Sequence, residues 1–351
     1  MKFRYHFIFL LIVVFLVAFL STFLYSNFTG KKILFFGEDF CGDGTLYGKC
    51  SSDRPYYCSD GLLFERASIC GCPSGFNESG DKCISQYQTE PREISLNYNL
   101  RGSEGEINFI VYGGVVDYLS NLPKSIDYDG NGNGPTRLDF KLKSINNEEQ
   151  RNLLLPLVKE IQNNIDDEEE QVRVAISLVQ NLEWGRSNKS FNFGGIKLDY
   201  SRYPYEVLYD EQGVCGEKTD LLIFILKELG YGTAFFYNQQ ENHESVGIRC
   251  PVSESWYDSG YCFVETSGPS IMTDTGIEYV GGLRLSSKPE IFVVSEGKAL
   301  DESFYEYRDA EDLMKLRNDL SYYGRISNPL KSMKYSNLNE KYGLVEEYQA
   351  G

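Results

Sequence analysis

Apolar residues run unbroken over positions 7–20 (FIFLLIVVFLVAFL). The run continues through Phe23, Leu24 and Tyr25, with only Ser21 and Thr22 diluting it. A soluble core helix carries a polar face, and this stretch has none. As a helix, residues 7–25 span about 28 Å, near the hydrocarbon thickness of a bilayer. Lys2 and Arg4 precede the run, and Lys31 and Lys32 follow it. The pattern predicts a single-pass transmembrane anchor over 7–25 with residues 1–6 as a cytoplasmic tail. The competing reading is a cleaved signal peptide, for which no small-x-small cleavage site is evident. Under either reading the rest of the chain is exported. The expected location is the cell membrane, with the C-terminal bulk extracytoplasmic.

Further along, the hydrophobic period changes. Residues 84–92 read as a linker. Residues 94–98 and 107–112 alternate as two strands about a Gly/Ser/Glu turn. In DYDGNGNGPTRLDFKLK, Asp127, Asp129, Asn131 and Asn133 alternate, with Gly132 at the sharp-turn position of a calcium loop. Leu138 stands where the bidentate carboxylate belongs and no EF-hand helix precedes it, so the stretch reads as a hairpin turn. Residues 93–145 are therefore expected to be β-rich, with no metal site. EEQRNLLLPLVKEIQNN is amphipathic, with Pro156 as a kink or restart. DDEEEQVRVAISLVQNLEW is a cleaner helix, with Val172, Ile176 and Val179 on one face and carboxylates at its positive end. Leu221, Leu222, Ile225, Leu226 and Leu229 form a helical stripe that stops at Gly230. Three strands are expected over 233–237, 244–249 and 261–266, then a short apolar run at 291–294 and a helix over 304–320. The order predicts an α+β fold with its core in residues 147–290 and a strand/helix extension over 291–351.

Composition narrows the chemistry. Acidic residues outnumber basic ones 51 to 34, a net charge of −17. That balance disfavours nucleic acid as a partner, because binding it needs a basic face. No nucleotide motif occurs in a strand-to-helix context, and no cofactor is expected. The two histidines are His6, before the apolar run, and His243. Six of the nine cysteines, Cys41, Cys50, Cys58, Cys70, Cys72 and Cys83, fall within residues 41–83. This segment is rich in Gly, Ser, Asp and Pro and too poor in aliphatic residues to fold without staples. It lacks paired CxxC spacing and has no histidine nearby, so three disulfides are expected rather than zinc, with fifteen connectivities open. The plain role of such a module is a spacer or adhesion stalk. Asn27, Asn77 and Asn188 begin glycosylation sequons, consistent with export.

Cys250 and Cys262 flank PVSESWYDSGY between two predicted strands, the position of a disulfide across a hairpin neck. These pairings leave Cys215 alone, at the start of the Leu-striped helix. A helix N-terminus stabilises thiolate, the nucleophilic form, and its free N–H groups can face an oxyanion. His243 stands at the start of the second strand after that helix, and Glu265 lies near the end of the third. Adjacent antiparallel strands would set the two side by side. A thiol, a base and a carboxylate that fixes the imidazole then arrive in order. Glu254 and Asp258 lie in the intervening loop and rank below Glu265.

At these residues the chain resembles the transglutaminase-like superfamily, a branch of papain-fold thiol enzymes, over about residues 165–275. The segments that carry the resemblance are PYEVLYDEQGVC, KELGYGTAFFY, NHESVGI and FVETSGP. The resemblance implies a papain/transglutaminase-like core, with Cys215 as nucleophile, His243 as base and Glu265 as third member. Two departures stand out: glutamate replaces the usual aspartate, and His243-Glu244-Ser245 replaces the usual His-Ala-Trp. Trp184 matches an aromatic residue that lines the oxyanion side, with Tyr205 and Tyr209 as weaker alternatives. The implied activity is cleavage or transfer of peptide or protein amide groups through a Cys thioester, with water or an amine as acceptor. The alternatives are an inactive relative that binds peptide or surface polymer, and a structural surface protein.

Overall fold

A computed structural model describes residues 40–130, 132, 134–193, 195–279 and 283–344. The expected span 7–25 lies outside these residues. Among the described residues, no helix is long and apolar enough to cross a membrane. The fold is mixed α+β with small antiparallel sheets and four disulfides.

The cysteine module contains two hairpins, β1 (Tyr56–Ser59) with β2 (Leu62–Glu65) and β3 (Asn77–Ser79) with β4 (Lys82–Ile84). A one-turn helix, α1 (Ala67–Cys70), joins them. Its apolar cluster is small, made of Cys41, Tyr56, Cys58 and Leu63. So small a cluster needs covalent help, supplied by Cys41–Cys58, Cys50–Cys70 and Cys72–Cys83. Because the bridges close within the module, one of the fifteen connectivities is selected.

The module does not stand free as a stalk. It is clamped to helix α4 (Glu148–Asn164), described below. The Leu63 N–H donates to Asn163 Oδ1 at 2.9 Å, and Asn163 Nδ2 donates to the Leu63 carbonyl at 3.0 Å. Asp53 accepts from Lys159 at 2.7 Å and from Arg151 at 3.1 Å. Burial pushes the Asp53 carboxyl up, but these two cations outweigh it and hold it below its ordinary value. Nor are residues 84–92 a slack linker: Ser85 is buried, and its hydroxyl bonds Glu149.

Strands β5 (Pro91–Leu100) and β6 (Ser103–Tyr112) pair in register, Ile94 opposite Phe109 and Leu96 opposite Ile107. These four side chains are buried in the main core. The expected β-rich segment ends there. Helices α2 (Gly113–Ser120) and α3 (Arg137–Ile145) follow, in place of a hairpin turn at the Gly/Asn stretch. The cause is a capping box. Thr136 accepts from the Asp139 N–H, and Asp139 accepts from the Thr136 N–H. Helix α4 runs through Pro156 without a break. One lost donor is outweighed by burial of Leu153, Leu154, Leu155, Leu157, Val158 and Ile161.

Helix α5 (Glu168–Asn181) is capped by Asp167, whose side chain accepts from the Glu170 N–H. A two-residue strand β7 (Glu183–Trp184) and the hairpin of β8 (Ser190–Phe193) and β9 (Ile196–Asp199) lead to α6 (Pro204–Asp210). Then come β10 (Gln212–Gly213) and α7 (Cys215–Glu228), whose side chains from Glu217 to Leu226 are all buried. The central sheet has the order β13-β12-β11-β16 and is antiparallel throughout. Its strands are β11 (Thr233–Asn238), β12 (His243–Arg249), β13 (Tyr261–Val264) and β16 (Glu290–Ser295). Between β13 and β16 lie the two-residue strands β14 (Glu278–Tyr279) and β15 (Leu283–Arg284). Helix α7 packs on this sheet through Leu222, Ile225, Phe235, Val246 and Ile248 in the main core.

The expected boundary at 290/291 cuts through the sheet, because β16 is its fourth strand. The C-terminal part is therefore integral to the core. Helices α8 (Glu306–Tyr323) and α9 (Pro329–Tyr342) complete the chain. Buried Glu306 accepts from Arg173 at 2.6 Å, and buried Asp274 pairs with Arg317.

Candidate active site

All nine cysteines lie in the described residues. Cys250 is bonded to Cys262 across the neck between β12 and β13, and Cys215 is free. Cys215 is the first residue of α7, where Gly213 and Val214 deliver it from β10. The Cys215 and Gly216 N–H groups, in the first turn, have no intrahelical acceptor. The start of the helix is fixed by Glu217, whose carboxylate accepts from the Val214 N–H at 3.1 Å and the Arg202 N–H at 2.8 Å.

His243 is the first residue of β12, and Glu265 lies one residue past the end of β13. Val246 pairs with Val264. Extending that register sets Glu265 opposite Ser245, diagonal to His243 on the same face. The outcome is a 2.8 Å contact between His243 Nε2 and Glu265 Oε2. Glu265 Oε1 accepts from the Thr266 and Ser267 N–H groups, both at 2.9 Å. The extra methylene of glutamate is thus accommodated by anchoring one oxygen to its own chain. The Cys215 side chain lies close enough to the imidazole to help hold it protonated. With Nε2 engaged by Glu265, Nδ1 is the nitrogen left for the thiol. The structure therefore brings Cys215, His243 and Glu265 together. Glu254 and Asp258 stay exposed in their loop.

The electrostatics follow from burial and pairing. Burial pushes the His243 imidazole down, but Glu265 and Cys215 outweigh it and raise it to about 10. Burial pushes the fully buried Glu265 carboxyl up, but His243 and the Ser267 donors hold it below its ordinary value. Lys218, one turn into α7, is fully buried and donates to the carbonyls of Gln180 and Leu182 at 3.2 and 2.8 Å. Burial lowers it to about 8 against the pull of Glu265 and Cys215.

Cys215 and His243 open onto a cleft of about 720 Å³. Trp184 forms part of its wall and is 43% exposed. Strand β7 runs parallel to β10, with Trp184 opposite Gly213, two positions before the thiol. The alternatives Tyr205 and Tyr209 do not line the cleft. Tyr205 is buried, and its hydroxyl accepts from the Tyr112 N–H; Tyr209 lies beneath Arg92.

Several supporting residues carried no signal in the sequence. Arg202 binds Asp210 at 2.7 Å, Glu217 at 3.1 Å and the Gly185 carbonyl at 3.2 Å, tying α6, α7 and the Trp184 strand together. Lys141 donates to Asp220 at 2.8 Å, to Glu244 at 2.6 Å and to the Gly216 carbonyl at 3.0 Å. Burial raises the Asp220 carboxyl to about 7, with Lys141 opposing. Only the long-range packing of α3 and β12 onto α7 makes these contacts. Among the described residues, no cluster is arranged to hold a metal ion.

No protein-family model matches the chain, and no curated protein matches it.

Proposed function

We propose that the chain is an extracytoplasmic thiol enzyme with a transglutaminase-like, papain-type core, anchored by residues 7–25. It acts on an amide carbonyl of a peptide or protein. What supports this reading most is that the one unpaired cysteine lies beside the one histidine of the exported chain, which a buried glutamate holds at 2.8 Å.

For attack the Cys215 proton passes to His243, whose imidazolium Glu265 holds in place. The thiolate attacks the amide carbon, forming the S–C bond. Negative charge then gathers on the carbonyl oxygen, near the first-turn N–H groups of α7 and the Trp184 indole N–H. As the intermediate collapses, the C–N bond breaks, and His243 gives its proton to the departing nitrogen. The acyl group is left as a thioester on Cys215. Neutral His243 then takes a proton from water, the simplest acceptor, and the hydroxide so formed releases a carboxylic acid. Glu265 keeps the ring oriented and stabilises its charge throughout.

The test is to treat the protein with a chloroacetamide-bearing peptide and map the adduct by mass spectrometry. Labelling at Cys215 near neutral pH, lost in His243→Ala, supports the enzyme. An unreactive Cys215 sinks it and favours a binding module.

A further inference from the structure

A second recess of about 460 Å³ adjoins the cleft, and Asp199 and Ser201 line both. Its charge differs from that of its neighbour. The cleft wall carries Asp199, Glu217 and Glu241 against Arg186 and His243. The recess carries Lys124, Arg137, Lys141, Lys143 and Arg202 against Asp199 and Asp220, in a chain whose net charge is −17.

The pairing of these cations is uneven. Arg137 binds Glu244 at 2.6 Å, leaving other guanidinium N–H groups unused. Neither Lys124 nor Lys143 forms an ion pair with a carboxylate among the described residues. Lys124 donates to the Ser201 carbonyl at 3.1 Å and sits over the rings of Tyr203 and Tyr200, at 3.6 and 4.2 Å. Lys143 donates to the carbonyls of Pro123 and Ser125 at 2.8 and 2.6 Å. Each ammonium is held in place by neutral groups and retains an N–H. Burial lowers Lys124 to about 8; Glu206 and Glu217 pull it back up, while nearby Lys189 and Lys143 push it further down. Among the described residues no carboxylate is in contact with either ammonium, and an incoming anion offsets the repulsion between them. Phe140, Phe191 and Tyr203 supply apolar walls. Lys141, on the same recess, bonds the Gly216 carbonyl, one residue from the thiol.

We propose that this recess is a subsite for an oxyanion, carboxylate or phosphate, carried on an apolar body by the acyl donor. The proposal rests on the thiol-enzyme reading for its link to Cys215, but not for anion binding itself. The net-cationic recess orients the donor, with its anionic end toward Lys124 and Lys143 and its amide at the thiol.

Inorganic phosphate and glutarate are titrated calorimetrically into the full chain at low salt. The variants are Lys124→Gln, Lys143→Gln and, as a distant control, Lys331→Gln. Saturable one-site binding is expected, weakened about tenfold in each recess variant and unchanged in the control. The stronger of the two ligands tells phosphate from carboxylate. No saturable binding, or equal binding in the recess variants, overturns the proposal. Lys143 is exposed, so its variant keeps the test readable even if Lys124→Gln misfolds. A second arm compares Cys215 labelling by two chloroacetamide peptides differing only in a terminal carboxylate or amide. The anionic probe should react about fivefold faster, an advantage lost in Lys143→Gln. Anion binding without that advantage overturns the link to the acyl donor. If neither probe labels Cys215, the enzyme reading fails while the titration still decides whether the recess binds anions.

Discussion

Glu265 holds His243 with one carboxylate oxygen, at 2.8 Å, and its own following backbone with the other, at 2.9 Å. The carboxylate is locked on both sides, so the imidazole it faces is locked as well. Glu265→Gln keeps the shape but removes the charge. It should lower the rate of Cys215 acylation by about 10²-fold or more, measured with an amide-mimic probe under saturating conditions. Equal rates would show that the carboxylate has no part in the chemistry.

The pH dependence follows from the same pair. His243 stands at about 10 in the folded protein against 6.5 unperturbed. Its pairing therefore contributes stability that is fully present below pH 6.5 and is lost as pH rises towards 10. The unfolding temperature should fall over that window more steeply in the parent than in Glu265→Gln. The comparison cancels the contributions of other groups. Turnover of an amide substrate, which needs the His243 proton for the departing nitrogen, should fall on its basic limb near pH 10, and at lower pH in the variant. Identical profiles would remove Glu265 as the cause.

Trp184 is half exposed on the cleft wall, opposite Gly213, so its removal costs little packing. Trp184→Phe keeps the ring and deletes the N–H. A drop of about 10²-fold in acylation rate with an unchanged unfolding temperature identifies an oxyanion donor. A drop seen only in Trp184→Ala identifies a wall instead.

Gly216 follows the thiol, and a Cβ there would lie 2.4 Å from Glu244 Oε2. That carboxylate is pinned by Arg137 and Lys141, each at 2.6 Å, and has little room to yield. Gly216→Ala should cost about 1–3 kcal/mol in denaturant unfolding and slow the labelling of Cys215. Full stability would mean that the network gives way easily.

Asp53→Asn tests the clamp between the cysteine module and α4. It removes the charge 2.7 Å from Lys159, 2% exposed, and leaves Asp43 at 3.6 Å as the nearest carboxylate. Breaking such a pair costs about 3 kcal/mol, readable by chemical denaturation. The folded Asp53 carboxyl lies below its ordinary 3.8, so the parent loses this contribution as pH falls through that region. Labelling of Cys215 should not change, because the module does not line the cleft.

Much of the site was legible because it rests on local signals. Parity and spacing identified Cys215 as the free thiol, and the apolar stripe after it fixed the helix. Alternation on β12 and β13 brought His243 and Glu265 to one face. Other features depended on distant parts of the chain. The Thr136–Asp139 capping box was written in the sequence, but the Gly/Asn stretch before it pointed to a hairpin. Lys141, Arg202 and Lys218 are unremarkable charged residues until helices far apart in sequence bury them. Strand β16 looked like an appendage because the pairing that places it beside β11 joins residues as far apart as Thr233 and Ser295.

The bridges have a consequence for how the thiol survives oxidation. Their partners are separated by 11, 12, 17 and 20 positions. Cys215 is 35 positions from Cys250 and farther from every other cysteine. In the unfolded chain, loop closure favours the Cys250–Cys262 partnership over Cys215–Cys250 by about 1 kcal/mol. Chain statistics thus favour Cys262 over Cys215 as the partner of Cys250, the other six sulfurs pair within their own module, and the ninth reaches the folded state reduced.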